Sequence, residues 1–291
     1  MKIATWNVNS IRVRLEAVLN WMNHAQPDVL CLQEIKVTDE LFPVDSFEAL
    51  GYQVVVSGQK TYNGVAIISK YEMTEVKTEF PDYDAEGQKR FIAATIGGVR
   101  VVNVYVPNGS APDSPKFAYK LEFISQLRNY LESLHVPEEL LVLTGDFNIA
   151  PEPRDVYDAD EMEGEIGFHP KERTALEELR SWGFEDVFRR HHEESGLYSW
   201  WDYRAGAFRR DMGLRIDHIW ATMSLAAFSV ECGMDKEQRS LHKPSDHIPV
   251  WATFDAERKA QSVVPAEITF SGRRPRCDLL GRGEAAVLLP D

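Results

Sequence analysis

Leu140-Leu141-Val142-Leu143-Thr144-Gly145-Asp146-Phe147-Asn148 is the stretch around which this chain organises itself. An apolar run of this length, bounded by turn residues, predicts a buried strand over 140–144. Gly145 then allows the backbone to break. Asp146 and Asn148, two positions apart, point the same way from the strand end. A carboxylate beside an amide can position a water and take its proton, which is what hydrolysis requires.

Working outward, further strands are predicted at 2–8, 28–33, 52–56, 65–69, 91–96, 99–106, 216–222 and 248–254. Asn63-Gly64 opens one of them, and Gly97-Gly98 marks a hairpin between two others. Three helices are clear: 11–24, 115–134 and 174–182. In the first, Ser10 is the expected N-cap, and Ile11, Leu15, Val18, Leu19 and Met22 share one face. The acidic stretch 150–170, rich in Pro and Gly, reads as a loop. Hairpins predominate, so the fold class is α+β: two mainly antiparallel β-sheets packed face to face, with helices on the outer faces. No linker interrupts residues 1–255, which form one catalytic domain in this reading. Residues 256–291 alternate basic, turn and apolar residues without a period and are expected to be a flexible or loosely docked C-terminal extension.

The totals narrow the function. Of 291 residues, 44% are apolar, enough for a sizeable core, and no run of about 18 apolar residues suggests a membrane span. The chain starts directly on a strand, Lys2-Ile3-Ala4-Thr5-Trp6, without the pattern of a signal peptide. Cys31, Cys232 and Cys277 are odd in number and lack metal-ligand spacing, which fits a reducing cytoplasm with Cys31 in the core. A net charge of -14 excludes a protein that coats polyanions indiscriminately. The charge is uneven, however. Residues 155–165 hold six carboxylates, whereas Arg204, Arg209, Arg210 and Arg215 form a basic strip broken only by Asp211. Such a strip can dock DNA with modest, salt-sensitive affinity.

Polar clusters recur at the ends of apolar strands: Trp6-Asn7-Val8-Asn9, Gln33-Glu34, Tyr105-Val106-Pro107-Asn108-Gly109, Asp146 with Asn148, Arg215-Ile216-Asp217-His218 and Ser245-Asp246-His247. One such cluster is usually a solvated turn. Six, four of them with carboxylates, predict convergence on one rim. Glu34 has the chemistry of a magnesium ligand. Asp146, oriented by Asn148, suits the activation of water. His247 suits donation to a phosphoryl oxygen, with Asp217 fixing its tautomer and raising its pKa. The Tyr105 hydroxyl suits a phosphate. His218 points to the other strand face and reads as structural, and His191 and His192 as solvated.

These motifs, together with Leu32-Gln33-Glu34, Asn63-Gly64-Val65-Ala66 and Leu214-Arg215-Ile216-Asp217-His218, resemble the exonuclease III family of Mg-dependent abasic-site endonucleases. The family lies in the endonuclease/exonuclease/phosphatase superfamily. The resemblance runs in order from residue 1 to about 255. It implies a four-layer αββα sandwich, with Glu34 at the metal and Asn7 beside it. It implies a site of Tyr105, Asn108, Asp146, Asn148, Asp217, Asp246 and His247. Asp246 serves a second metal position or its surroundings. Asp146 is assigned as base, with a base built from His247 and Asp217 as the alternative. Magnesium is the implied cofactor, with manganese as a substitute.

Substrate choice within the superfamily rests on Tyr198-Ser199-Trp200-Trp201-Asp202-Tyr203-Arg204, which resembles a loop that lies on DNA. Trp200, Leu214 and Ile216 match positions lining an abasic-sugar pocket, in the pattern of the bacterial branch. A base-free sugar is small and already unstacked, so a compact apolar pocket can select it. Lys116, Arg204, Arg209 and Arg210 are candidate phosphate contacts. The implied activity is cleavage 5′ to abasic sites in duplex DNA by a monomeric enzyme that also trims 3′ ends. The alternatives are a phosphodiesterase or phosphatase acting on RNA or a small phosphate ester, and a catalytically dead DNA-binding module. Two features depart from the family pattern. The loop Gly109-Ser110-Ala111-Pro112-Asp113 lacks a basic residue, and 256–291 have no counterpart.

Overall fold

The computed structural model describes residues 1–80 and 87–255. The expectations for 256–291, Cys277 included, fall outside the described residues. In chain order the strands are β1 (Lys2–Asn7), β2 (Val29–Gln33), β3 (Gln53–Ser57), β4 (Val65–Ser69), β5 (Met73–Lys77), β6 (Phe91–Ile96), β7 (Val99–Tyr105), β8 (Leu141–Asp146), β9 (Phe184–Asp186), β10 (Trp200–Trp201), β11 (Gly213–Leu214), β12 (Asp217–Thr222), β13 (Ser229–Met234) and β14 (Val250–Phe254). The helices are α1 (Ile11–Ala25), α2 (Val44–Glu48), α3 (Pro115–Leu134), α4 (Ala159–Met162), α5 (Pro170–Arg180), α6 (Val187–His191) and α7 (Met223–Ala226).

Two six-stranded sheets result, ordered β13-β14-β1-β2-β4-β3 and β5-β6-β7-β8-β12-β9, with β10 and β11 as a separate pair. Each large sheet contains one parallel pair, β1 with β2 and β7 with β8. Parallel neighbours need a crossover, and α1 and α3 provide the two crossovers. Between the sheets lie Ile3, Val29, Cys31 and Ile67 from one side and Ile92, Val101, Val142 and Ile219 from the other. The outer faces are covered by α1 and α2, through Ile11, Val18, Met22 and Phe47, and by α3 and α5, through Phe123, Leu127, Leu131, Leu176 and Leu179. The molecule is therefore a four-layer αββα sandwich. Burying both faces of its central strands explains the apolar runs 29–32, 65–68 and 141–143 in β2, β4 and β8.

The parallel pairs decide where chemistry can gather. β1 and β2 run side by side and end together, as do β7 and β8. β12 runs against β8 with Asp217 opposite Asp146, so it starts where β8 finishes. β14 runs against β1 and likewise starts at that edge. The strand-end clusters accordingly share one rim.

Several expectations are corrected. Gly145 does not break its strand, which continues to Asp146. Its φ is 140°, and a Cβ there would meet the Val104 carbonyl oxygen at 1.9 Å, so close approach of β7 demands glycine. Ser10 precedes α1 but makes no side-chain cap bond. Residues 150–170 are not simply a loop: they contain α4, and Asp155 is fully buried. α5 begins at Pro170, ahead of the predicted 174, because His169 and Glu172 form a capping box. Edge strands β5 and β13 escaped the sequence reading because β5 is mostly exposed, β13 buries only Cys232, and each pairing contains a register shift. His191 and His192 are not free in solvent, since their ring nitrogens meet Ser229 Oγ at 2.7 Å and the Cys232 carbonyl at 2.8 Å.

Candidate active site

At the rim, backbone twists aim the polar side chains. Glu34 follows β2 with φ 50°, and Asn148 follows β8 with φ 52°. One Asn7 amide joins the two sheets: its Nδ2 donates to Glu34 Oε1 and to Asp146 Oδ2, each at 2.8 Å. Asp146 also accepts from the Asn148 backbone N–H at 2.9 Å and from Asn148 Nδ2 at 3.3 Å. Asn108 Nδ2 donates to Asn148 Oδ1 at 3.1 Å, which brings the end of β7 into the same network.

His247 occupies the other side of Asp146. Its Nδ1 meets Asp217 Oδ2 at 2.8 Å, and its Nε2 faces Asp146 Oδ2 at 3.7 Å. Ser199 Oγ donates to Asp217 Oδ2 at 2.6 Å, while Asp217 Oδ1 is buried without a partner. Burial disfavours the imidazolium, but the carboxylates of Asp217 and Asp146 outweigh it and raise the His247 pKa to about 10. Burial pushes Asp146 up to about 7 against the pull of His247, with Asp217 adding to the rise. A protonated imidazole thus adjoins a carboxyl group poised near neutrality.

Glu34 stays ionised. Burial works against its charge, yet Lys36 and the Asn7 amide hold its carboxyl below the ordinary value, with Lys36 Nζ 2.8 Å from Oε2. Tyr105 lies under the Arg90 guanidinium, and burial with the charges of Glu34 and Asp146 keeps its hydroxyl protonated. Ligand atoms of Glu34, Asp146 and His247 all lie within 4.8 Å of one another. Glu34 and Asp146 supply carboxylate oxygens there, hard donors that suit a small divalent cation better than a thiophilic one.

Other predicted residues scatter around this centre. Asp246 accepts from Asn9 Nδ2 and from Trp200 Nε1, each at 3.0 Å, and it is not among the three grouped ligand residues. Leu214 and Ile216 are buried in an apolar cluster with Ala150, Val156 and Phe168, and Trp200 packs on it half-exposed. The tryptophan pair therefore splits: Trp200 faces the site, whereas Trp201 is wholly buried against Tyr198 and Phe208, contrary to a surface loop. Arg209, Arg210 and Lys116 are exposed, and Arg204 is exposed but paired with Asp202 at 2.7 Å. Lys116 lines a groove of about 500 Å³ with Tyr62, Tyr105 and Asn108.

Arg215 does not belong to the basic strip. It is fully buried, 2.6 Å from Asp155 and 2.8 Å from Asp186. Its Nη1 contacts His218 Nδ1 at 3.0 Å, and His218 Nε2 meets the Ile149 carbonyl at 2.9 Å, so His218 is structural as expected. The sequence reading also missed Lys120, Glu172 and Ser199. Lys120 and Glu172 form an ion pair with no exposure at all. The signal was present, because Lys120 sits at helical spacing among the buried residues Phe117, Phe123, Ile124 and Leu127.

Comparison with known proteins gives a consistent picture. The model of the Endonuclease/Exonuclease/phosphatase family matches residues 4–247. Exodeoxyribonuclease III of Haemophilus influenzae is 39% identical over 269 residues, spanning 87% of this chain and all of that protein. The structure of an AP endonuclease from Archaeoglobus fulgidus superposes with a TM-score of 0.85 at 43% identity, covering 88% of this chain and 99% of that one. A 3′ phosphatase from Neisseria, solved bound to a product DNA hairpin, gives 0.83 at 44%, covering 88% and 99%.

Proposed function

The chain belongs to the Endonuclease/Exonuclease/phosphatase family as a DNA-repair phosphodiesterase, and from that premise we propose that it cleaves duplex DNA 5′ to abasic sites. The product is a 3′-hydroxyl. The observation that carries this reading is the pairing of Asp146, His247 and Asp217 with the apolar wall of Leu214, Ile216 and Trp200 beside them.

Asp146 takes the proton of the attacking water. The three donors that hold it leave its carboxyl fixed in direction, and its pKa near 7 suits a base at neutral pH. His247, charged at neutral pH, donates to the phosphoryl oxygen on which charge develops. That charge state favours Asp146 over the imidazole as base. Asp217 and Ser199 keep the ring in place. Tyr105 donates its hydroxyl to the phosphate, and Asn108 holds Asn148. Glu34, with Asn7 beside it, is the residue that would hold magnesium, or manganese in its place. When bound, the cation polarises the phosphate and stabilises the leaving oxygen. Arg209, Arg210 and Lys116 grip phosphates flanking the site.

We take residues 1–255 as the catalytic domain, which contains the family match, and 256–291 as an extension. We place the protein in the cytoplasm as a monomer; among the described residues no helix is long and apolar enough to cross a membrane. A second reading, removal of 3′-terminal phosphates and nucleotides, has its own support. The Neisseria 3′ phosphatase and the archaeal AP endonuclease resemble this chain almost equally. The test uses three labelled duplexes: one with a tetrahydrofuran abasic analogue, one with a 3′-phosphate and one undamaged. Magnesium-dependent incision 5′ to the analogue is the expected result. Action on 3′ ends alone would leave only the second reading.

A further inference from the structure

Lys120 and Glu172 form a wholly buried ion pair, 2.5 Å apart, between α3 and α5. The lysine has three N–H donors, and each has a partner. Beyond Glu172 Oε1, Nζ donates to the Asn148 carbonyl at 2.8 Å and to the Asn108 carbonyl at 3.1 Å. The second Glu172 oxygen accepts from the Gly167 N–H at 2.9 Å and the His169 N–H at 3.0 Å. Between those two lies Phe168, which packs with Leu214 and Ile216. The Ala150 N–H closes the circuit by donating to the Gly167 carbonyl at 2.7 Å.

Such a buried pair is weak evidence for stability. Removing two charges from water costs about as much as their attraction returns, and buried pairs often give way to apolar residues without loss. The pair does, however, fix two loops that have no regular structure of their own at these points. One carries Asn108 and the other Asn148, the two amides that steer Asp146. It also ties both to the segment that walls the apolar pocket.

We propose that Lys120 and Glu172 are positioning residues that hold the Asn108 and Asn148 amides in register with the pocket wall at Phe168. The proposal rests on the reading of the site given above. Neither side chain reaches the reacting atoms. Lys120 acts through the backbone of Asn108 and Asn148, of which Asn148 bonds Asp146, and Glu172 acts through Lys120 and the 167–169 backbone. A displacement of about 1 Å at a reacting group can cost about 100-fold in rate.

The test is single-turnover and steady-state cleavage of the abasic-analogue and 3′-phosphate duplexes by full-length wild type, Lys120→Met, Glu172→Gln, Asn148→Ala and the Lys120→Met/Asn148→Ala double variant. Burst amplitude gives the active fraction. Lys120→Met should lower kcat by about 100-fold while KM for DNA stays within about threefold. Adding Lys120→Met to Asn148→Ala should lower kcat by less than about threefold, because both changes remove one interaction chain. Should Lys120→Met fail to fold, Lys120→Met/Glu172→Gln carries the same comparison, since it leaves no unpaired buried charge and the Gln oxygen still accepts from Gly167 and His169. A Lys120→Met enzyme with full kcat, losses that appear only in KM or active fraction, or losses that multiply in the double variant would each overturn the proposal. Wild type acting on the 3′-phosphate duplex but not the abasic one would sink the abasic reading alone, and the Lys120 comparison would then be made on that substrate.

Discussion

Asp217 lies opposite Asp146 in the antiparallel pairing of β12 with β8, and His247 is held between them, 2.8 Å from one and 3.7 Å from the other. Register alone places two carboxylates on either side of one imidazole. Their combined charge overcomes burial and keeps the ring protonated. Replacing Asp217 by Asn removes half of that support. The His247 pKa should fall from about 10 toward its ordinary value, and kcat should drop by about 100- to 1,000-fold. NMR titration of the imidazole and single-turnover incision measure the two effects. An unmoved titration would show that Asp217 does not govern the ring.

Glu34 is the carboxylate of the site with the clearest fit to a divalent cation, since both its oxygens are held in place by Asn7 and Lys36. Glu34→Ala should raise the magnesium concentration for half-maximal activity by about tenfold or more. A magnesium titration that coincides with wild type would remove Glu34 from the metal-binding set.

His218 is buried with Arg215 against one nitrogen, and burial followed by that charge lowers its pKa from 6.5 to about 4. Between those values the unfolded chain binds a proton that the native protein refuses. Stability from this group is therefore complete above pH 6.5, falls as pH drops through the window, and stops falling below about 4. The loss is about 3 kcal/mol. Urea unfolding of wild type and His218→Gln at several pH values isolates it: the variant should show a shallower acid slope, and parallel slopes would refute the assignment.

Asp155 is wholly buried and holds Arg215 and Arg189 together, its carboxyl kept below the ordinary range by both guanidinium groups against the effect of burial. Asp155→Ala strands Arg215 in the interior with only Asp186 left. The unfolding free energy should fall by about 3–5 kcal/mol. A thermal shift of only a degree or two would show that the remaining carboxylate suffices.

Lys116 and Arg210 are exposed and have room to meet phosphates. Each replaced by Ala should reduce the slope of log affinity against log salt by roughly 0.9. Arg204 already pairs with Asp202, so Arg204→Ala should reduce it less. Fluorescence anisotropy on an uncleavable duplex at several salt concentrations gives the slopes. Slopes unchanged from wild type for Lys116→Ala and Arg210→Ala would place the DNA elsewhere.

Much of this could be read directly. The long central strands and the helices α1 and α3 were legible because their periodicity is a local property of consecutive residues. Asp146, Glu34 and His247 were legible because strand ends advertise polar residues that a sheet interior would not tolerate. The edge strands β5 and β13 were not, since a bulged strand with at most one fully buried residue carries no clean alternation. Arg215 looked like part of a basic surface strip, yet it lies in the core. Its carboxylate partner Asp155 is 60 residues away, in a stretch that looked like an acidic loop. Lys120 was passed over for the same reason, its partner Glu172 being 52 residues distant.

By itself the sequence determined which segments become buried strands and helices, and which residue types stand at their ends. Backbone preference and apolar patterning act over a few neighbouring residues and need no further context. Tertiary structure alone decided which charges meet. Whether Arg215 or Lys120 is a solvated cation or the buried centre of a network depends on carboxylates that only the packing of two sheets and their crossover helices brings within hydrogen-bond reach.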